Sequence, residues 1–471
     1  MLFYKLKREK AKLTRNFCNR RYRNECCIRS EQVHAMKFYN RKNELKLLRG
    51  IASSSLKTGQ MSFIVGRRRT GKTTLIKESL KGDDFIYLFV SKKNEKLLCE
   101  EFAASIEAAT DLEVFGEFSR FKDLFAYLVD ASKQKPLTLA IDEFQEFAHI
   151  NGSIYSDMQD IWDSNKNKAK INLVLSGSVF SLMKKIFEGE KEPLFGRADN
   201  RIHLKPFAVD VLKKLYRDYC PEYKNEDLLA FFILTGGMPK YVEYFVDREL
   251  FAGAAMLDAI FSQNSIFLEE GRNVLVEELG KEYGTYFSIL ALIAASKTSR
   301  SQIESVLEKN VGGYLERLEK DYCIIKKTRP MFAKPNSRSQ KYFIDDNFLN
   351  FWFRYIYKYQ SAIEIENFEQ LKKYVKDDFS SYSGRFLEKY FIGKLIASHK
   401  YTEIGSYWEA GNRNEIDIVA VNEFEKSALV AEVKMNPEKI SLNELKFKAR
   451  NLERHLAGYQ IDYKGFSLQD M

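Results

Sequence analysis

The sequence predicts an α/β fold with a parallel sheet, followed by helical regions and a smaller α/β domain at the C-terminus. Between residues 60 and 204, short apolar runs typical of buried strands alternate with helical patterns, which favours a parallel sheet covered on both faces. After residue 207 the pattern is mostly helical, and helix and strand patterns alternate again from about residue 383. A chain of 471 residues is long enough for two or three domains.

The individual elements follow from apolar runs and helical periodicity. Strands are predicted at residues 61–65, 85–90, 137–141, 171–175 and 202–204. Helices of the same region are predicted at residues 42–50, 72–80, 94–109 and 118–132. Residues 208–280 are predicted to be helical, with one main break at Gly236-Gly237-Met238-Pro239.

The composition is that of a folded protein and excludes several classes. Hydrophobic residues make up 45% of the chain and aromatic residues 14%, and no run of 18 apolar residues occurs. The six cysteines show no CxxC spacing, so the pattern does not indicate a zinc site. We therefore expect a cytoplasmic protein with reduced cysteines and no membrane partner.

The positive charge is concentrated at the N-terminus. Residues 1–35 contain ten Lys or Arg and three Asp or Glu, which accounts for +7 of the net charge of +10. We predict a basic, disordered extension over these residues, which could contact nucleic acid or acidic lipid. The alternative is that Met36 is the natural start, and we assign no function to the extension.

A phosphate-binding motif of the form GxxxxGK[ST] follows the first predicted strand. In this pattern glycines let backbone N–H groups surround phosphate oxygens, and the N-terminus of the next helix adds partial positive charge. Lys72 would neutralise the β- and γ-phosphates, and the Thr73 hydroxyl would bind Mg²⁺. The predicted nucleotide-binding residues, which we call the phosphate loop, are Gly66, Arg67, Arg68, Arg69, Thr70, Gly71, Lys72 and Thr73, followed by Thr74.

Two acids end the third predicted strand and would complete the site. Asp142 is predicted to hold Mg²⁺, and Glu143 to polarise the attacking water. Weaker candidates are the serines of Ser176-Gly177-Ser178, which could sense the γ-phosphate. Arg197 could stabilise transferred charge, either within one chain or across an oligomer, or be a surface residue.

These motifs together resemble the archaeal-type ATPase family of AAA-like and signal-transduction P-loop ATPases. The resemblance rests on Tyr39-Asn40-Arg41-Lys42-Asn43-Glu44-Leu45, the phosphate loop, Asp142-Glu143 and Thr235-Gly236-Gly237-Met238-Pro239-Lys240-Tyr241. It implies an ASCE-type sheet, with one strand between the phosphate-loop strand and the Asp142 strand. It also implies a helical lid whose Gly237-Met238-Pro239 turn approaches the nucleotide.

Residues 284–343 resemble a winged helix, with helices at 302–308 and 312–321 and wing strands at 323–326 and 341–344. A basic wing can position double-stranded DNA through its phosphates. The mixed charge of residues 312–321 leaves open the alternative that this unit packs between domains. The basic residues of the predicted wing are Lys326, Lys327, Arg329, Lys334, Arg338 and Lys341.

The last domain resembles the PD-(D/E)XK nuclease fold, although Ile416 replaces the proline of that motif. In this interpretation Asp417 and Glu432 bind Mg²⁺ or Mn²⁺, and Lys434 positions or deprotonates the nucleophile. Glu388 on the preceding helix could add an acidic contact. The alternative is that these acids form structural salt bridges.

The sequence therefore predicts a P-loop ATPase with Mg²⁺, coupled to DNA binding or cleavage and able to form a homo-oligomer. The alternative is a nucleotide-dependent switch or scaffold with an inactive nuclease-like domain. The predicted regions are the extension 1–35, the ATPase core 36–207, the helical lid 208–280, the winged helix 281–345, a helical connector 346–382 and the nuclease-like domain 383–471.

Overall fold

The structure is a computed structural model that describes residues 36–114, 116–334, 337 and 339–471. The predicted basic extension 1–35 lies outside the described residues. The chain divides into the units Met1–Lys37 and Phe38–Met471, and all that follows concerns the second. Throughout the described ranges, no helix combines the length and apolar character needed to cross a membrane.

A parallel sheet forms the core of the first half of the second unit. Within the described residues its strand order is β2-β3-β4-β1-β5, so β4 lies between the phosphate-loop strand β1 and the Asp142 strand β3. This confirms the inserted strand that the family resemblance implied. The strands are β1 (Gln60–Val65), β2 (Ile86–Phe89), β3 (Leu137–Asp142), β4 (Ile171–Gly177) and β5 (Asn200–His203).

Helices cover both faces of this sheet, which explains why its central strands are almost wholly buried. Alternate side chains of β1 enter different clusters: Phe63 packs with one set of helices and Ile64 with the other. The first helix runs five residues beyond the predicted 42–50. The helices are α1 (Lys42–Ser55), α2 (Lys72–Ser79), α3 (Glu95–Ala109), α4 (Phe121–Ser132), α5 (Phe147–Ile150), α6 (Ile154–Asn165) and α7 (Phe180–Glu188).

The region after the sheet is helical, as predicted. Gly236 ends one helix in a left-handed conformation, and Pro239 occupies the first turn of the next, where its missing N–H costs no hydrogen bond. The helices are α8 (Val209–Tyr219), α9 (Asn225–Thr235), α10 (Pro239–Val246), α11 (Gly253–Ile260) and α12 (Ile266–Leu279).

The described part of region 281–345 contains three helices and then an antiparallel hairpin. The helices are α13 (Tyr283–Ala294), α14 (Arg300–Leu307) and α15 (Gly312–Lys320). The hairpin strands are β6 (Ile325–Thr328) and β7 (Lys341–Ile344), so the first strand begins two residues later than predicted. The assignment to the winged-helix fold stays a prediction.

The hairpin tip packs on the C-terminal sheet. Met331 is buried in the hydrophobic cluster of that sheet, and its N–H donates to Ser406 O over 2.9 Å. Phe332 stacks on His455 with ring centroids 5.2 Å apart. This part of the predicted wing therefore packs against another region of the chain.

The remaining residues form helices and a mixed sheet. Its order within the described residues is β11-β10-β9-β8, with β10 and β11 parallel and the other pairs antiparallel. Strands β8 and β11 were not predicted. The elements are α16 (Asn347–Phe351), a π-helix (Trp352–Ile356), α17 (Gln360–Glu364), α18 (Phe368–Ala397), β8 (Glu403–Tyr407), β9 (Ile416–Asn422), β10 (Ser427–Lys434), α19 (Leu442–Ala449) and β11 (Gln460–Ser467).

The predicted boundary between residues 382 and 383 falls inside helix α18. Buried residues occur on both sides of it, from Leu371 to Phe391. Because one continuous helix contributes to both parts, the predicted connector and the last domain share a structural element. A boundary there cannot act as a free linker.

Candidate nucleotide site and C-terminal acid–lysine cluster

The phosphate loop connects β1 to α2 and depends on its two glycines. A Cβ atom on Gly66 would lie 2.6 Å from Leu204 O, a distance that backbone atoms cannot accept. Gly71 has a φ of 82°, in the left-handed region that favours glycine, and directly precedes α2. The loop therefore ends at a helix N-terminus, where backbone N–H groups are available to an anion.

Lys72 is buried and folded back on the loop. Its Nζ donates to Gly66 O over 2.7 Å and to Arg67 O over 3.1 Å. Burial lowers the pKa of Lys72 to about 8, although the nearby charges of Glu143 and Asp142 oppose this shift. The ammonium group thus has neutral hydrogen-bond partners, and a phosphate would be a stronger one.

Asp142 is buried at the end of β3 and touches the phosphate loop. Its Oδ2 accepts from Thr73 Oγ1 over 2.6 Å and from Tyr87 OH over 2.8 Å, and its Oδ1 accepts from Ser176 Oγ. Burial alone would raise the pKa of Asp142, but the hydrogen bonds from Ser176, Thr73 and Tyr87 together lower it below its usual value. The carboxylate is therefore held ionised beside the Thr73 hydroxyl.

Glu143 stands next to this pair in an unusual backbone conformation. Its φ is 53°, in the left-handed region, which costs free energy for a residue with a Cβ atom. Its Oε2 accepts from Gln145 Nε2 and from Ser178 Oγ, each over 2.6 Å. Ser178 thus contacts Glu143, while Ser176 contacts Asp142. Two serines predicted as phosphate sensors are here hydrogen-bond donors to the two acids.

Arg69 ties the phosphate loop to helix α12. Its Nε donates to Glu270 Oε1 over 2.8 Å, and Tyr241 OH donates to the same oxygen over 3.0 Å. Glu270 is 3% exposed, so this ion pair is shielded from solvent on the acid side. The N–H of Lys240 also donates to Arg69 O over 3.4 Å. The first turn of α10 therefore lies against the phosphate loop.

The other two loop arginines are also paired with distant acids. Arg68 Nη2 lies 2.5 Å from Glu277 Oε2, again on α12. Arg67 Nη1 lies 3.3 Å from Asp346 Oδ2, just after the hairpin, and Arg67 Nη2 donates to Cys323 O. We call the ion pairs of Arg67, Arg68 and Arg69 the arginine anchors. They connect the phosphate loop to the lid and to the hairpin.

Sequence reasoning missed several residues of this site. Tyr87, Gln145 and the acids of the arginine anchors carried no motif that could have identified them. Glu278 was also missed: its carboxylate accepts from Phe180 N over 3.0 Å and Ser181 N over 2.8 Å, at the start of α7. Burial raises the pKa of Glu278, against the effect of these hydrogen bonds.

The prediction that Arg197 acts within its own chain is wrong. Arg197 Nη2 pairs with Asp163 Oδ2 over 3.2 Å, and the N–H of nearby Asp199 donates to Met61 O at the beginning of β1. The phosphate loop follows the other end of β1, so the sheet separates Arg197 from it. A role across an oligomer stays a prediction.

The second predicted site lies where β9 and β10 meet. Glu432 Oε1 pairs with Lys434 Nζ over 3.0 Å and with Lys448 Nζ over 3.1 Å. Asp417 Oδ2 accepts from Val433 N over 2.8 Å and lies 3.6 Å from Lys434 Nζ. The structure thus brings Asp417, Glu432 and Lys434 together, as predicted, and adds Lys448.

Glu388 on α18 faces the same place. Burial raises the pKa of Glu388, and the negative charge of Asp417 raises it further, whereas the positive charge of Arg385 lowers it. Burial likewise raises the pKa of Asp417. We call Glu388, Asp417, Glu432 and Lys434 the acid–lysine cluster. Over the described ranges, no three His, Cys, Asp or Glu side chains are arranged to hold a metal ion.

The predicted wing lies beside this cluster. Lys341 Nζ pairs with Glu415 Oε1 over 2.8 Å and lies 4.4 Å from the centre of the Trp408 ring. Lys327 pairs with Glu319 over 3.6 Å. Part of the predicted positive charge is therefore neutralised within the chain, and Arg338 lies outside the described residues.

Comparisons with known proteins agree with this architecture. Residues 38–245 match the family model of an ATPase domain predominantly from Archaea, and residues 352–449 match a family of archaeal and bacterial proteins of unknown function. An uncharacterised protein of Methanocaldococcus jannaschii is 28% identical over 414 residues, which cover 84% of this chain and 87% of that protein. Residues 38–245 are thus similar to the ATPase domain of this archaeal family.

A solved structure gives the fold independently. A Walker-type ATPase of Pyrococcus abyssi superposes with a TM-score of 0.51 and 19% identity, over 67% of this chain and 96% of that one. This likeness establishes the P-loop α/β fold.

Proposed function

We propose that this chain binds ATP, hydrolyses it with Mg²⁺, and uses its nucleotide state to control DNA binding or cleavage by its C-terminal regions. The carrying observation is the contact of Thr73 with Asp142 in a phosphate loop whose arginines reach other regions. We divide the described chain into an ATPase core at 36–207, a lid at 208–280, a winged helix at 281–345, a connector at 346–382 and a nuclease-like domain at 383–471.

The residues at the loop fit a nucleotide with Mg²⁺. Thr73 and Asp142 offer a hydroxyl and a carboxylate 2.6 Å apart, and both are oxygen donors of the kind that Mg²⁺ prefers. A bound Mg²⁺ would neutralise charge on the β- and γ-phosphates. Lys72 would exchange its carbonyl partners for phosphate oxygens. Glu143, aimed by Gln145 and Ser178, would orient and polarise the attacking water.

The arginine anchors support coupling between nucleotide and C-terminal regions. The phosphate loop cannot rearrange around a phosphate without moving the backbone of Arg67, Arg68 and Arg69. Each of these arginines pairs with an acid, which lies on α12 for Arg68 and Arg69 and just after the hairpin for Arg67. Nucleotide binding is therefore linked to the positions of the lid and the hairpin, and linkage acts in both directions.

The nuclease part rests on the acid–lysine cluster. Asp417 and Glu432 supply carboxylate oxygens, which suit a hard divalent cation by their chemistry. Lys434 lies near both carboxylates, and the predicted wing ends beside them. DNA held by the wing would therefore lie close to the cluster. The competing proposal is a switch or scaffold whose cluster is structural, and the pairing of Glu432 with Lys448 favours it.

One experiment separates the two proposals. Purified protein is incubated with plasmid DNA and Mg²⁺ or Mn²⁺, with and without ATP, beside the Glu432→Ala and Glu444→Ala variants. Glu444 is the matched control, because it pairs with the same Lys448 as Glu432 does but is exposed. Metal-dependent cutting that is lost only in Glu432→Ala supports a nuclease, and an ATP effect makes the phosphate loop its control element. Absence of cutting under every condition supports the scaffold.

A further inference from the structure

A pocket lies between α13, the π-helix and α18, and Arg272 of α12 also lines it. Its volume is about 920 Å³, within the usual size range of small-ligand sites. Five aromatic residues line it: Tyr283, Phe287, Phe353, Tyr357 and Tyr374. We call it the aromatic pocket.

The aromatic side chains divide into a fixed floor and an accessible rim. Phe287 and Phe353 are each 1% exposed and meet edge to face, with ring centroids 5.3 Å apart. Tyr357 meets Phe287 in the same way at 5.5 Å. Tyr283 and Tyr374 are 39% and 40% exposed, so their rings remain accessible to a flat ligand.

The charged side chains that line the pocket are all basic, although Arg272 Nε lies 3.6 Å from Glu269 Oε2, which is outside the lining. Arg272, Arg354 and Lys358 line it, and the lining, which belongs entirely to described residues, includes no Asp or Glu. Arg354 is held in the wall because its Nε and Nη2 donate to Asp378 over 3.0 and 2.7 Å.

The wall of the pocket is fixed by contacts with a neighbouring helix. π-Helical segments occur often at functional sites, and this one packs against α12. Trp352 Nε1 donates to Leu268 O over 3.0 Å, and the Trp352 ring fills the space where a Cβ on Gly271 would stand. The same helix carries Arg272 of the pocket and the two α12 acids of the arginine anchors.

We propose that the aromatic pocket binds a nucleotide unit, that is, an aromatic base that carries phosphate, at a site separate from the phosphate loop. The base would stack on the rim tyrosines, and Arg272 and Lys358 would hold the phosphate. A free nucleotide and the end of a single DNA strand share this chemistry. The proposal does not depend on ATP hydrolysis or on DNA cleavage.

The test measures binding to the full chain with Lys72→Ala, in EDTA, so that neither the phosphate loop nor any metal-dependent cutting contributes. One probe is a fluorescein-labelled ten-nucleotide oligo-dT strand, whose binding is measured by fluorescence anisotropy. The other probe is AMP, whose binding is measured by calorimetry. Tyr374→Ala is expected to weaken binding about tenfold, because a stacked base contributes that much or more. Tyr374→Phe keeps the ring and is expected to retain binding.

Lys358→Glu is expected to weaken binding and to lower the salt dependence of the binding constant by about one unit. Its matched control is Lys376→Glu, which makes the same charge change at an exposed position on α18 outside the pocket. Binding of AMP identifies a free nucleotide as ligand, and binding of the oligonucleotide alone identifies a strand end. The proposal is overturned if neither probe binds, or if Tyr374→Ala and Lys358→Glu bind as Lys376→Glu does.

Discussion

The phosphate-loop site and the acid–lysine cluster contain the same kinds of side chain but balance their charges differently. At the loop, the Asp142 carboxylate accepts from hydroxyl groups and the Lys72 ammonium donates to backbone carbonyls. In the cluster, Glu432 is bonded by both Lys434 and Lys448. Charges that have neutral partners stay available to a charged ligand, whereas charges that neutralise each other are already satisfied.

This difference gives a physical reason why the two motifs carry unequal weight. A phosphate that binds Lys72 replaces only the neutral hydrogen bonds of that ammonium group, and the bonds that it forms are charge-assisted and stronger. A metal ion in the cluster has to displace ammonium groups from a carboxylate that is 5% exposed. The cluster is therefore the place where activity and structural support have to be separated by experiment.

The largest effect on nucleotide binding is expected at Lys72. Lys72→Ala should weaken ATP binding by at least about a hundredfold, because it removes a buried cation that would face phosphate. Calorimetry with ATP measures this directly. Lys81→Ala, an exposed lysine just after α2, is the control and should bind like the wild type. Equal affinity in both variants would contradict the assignment of the loop as the nucleotide site.

Glu143 should affect turnover and leave binding unchanged. Glu143→Gln keeps the shape of the side chain but removes the charge that would polarise water, so the hydrolysis rate should fall by about 10²–10⁴-fold. ATP affinity should stay close to the wild-type value. Phosphate release in steady state, together with calorimetry, separates the two quantities. Undiminished hydrolysis would show that another residue activates water.

The third prediction concerns the charge balance of the cluster. Glu432→Ala leaves Lys434 and Lys448 without their shared carboxylate, and the free energy of unfolding should fall by about 1–3 kcal/mol. Denaturant titration measures the change, and Glu444→Ala, whose side chain is 62% exposed, should change it by less than about 0.5 kcal/mol. If Mn²⁺ raises the melting temperature of the wild type but not of Glu432→Ala, the cluster is open to metal and the contrast between the sites disappears.

The smallest effect is expected at the arginine anchors. Glu270→Gln weakens the ion pair that holds Arg69, so the loop can rearrange at lower cost and ATP affinity should rise about fivefold. Glu282→Gln, at an exposed position just after α12 where the acid pairs with Arg317, is the matched control. An unchanged affinity in Glu270→Gln would show that the anchors do not resist nucleotide binding, which removes the proposed route to the C-terminal regions.

The residues predicted the parallel sheet and the helical region after it, the family resemblance implied the inserted strand, and the structure confirms all three. It also predicted the convergence of Asp417, Glu432 and Lys434, since alternate residues of a strand share a face. It did not predict β8, β11 or the continuity of α18 across residue 382, because exposed strands and long helices without a clear apolar stripe carry weak patterns.

By itself the sequence determined the candidate nucleotide site, because its motif is contiguous: two glycines, a lysine and a threonine lie in one loop and at the start of one helix. Only the tertiary structure decided what the loop arginines do. Arg69 meets an acid 201 residues away and Arg67 one 279 residues away. Such pairs depend on how helices and hairpin pack together, and short-range sequence patterns carry no information about that packing.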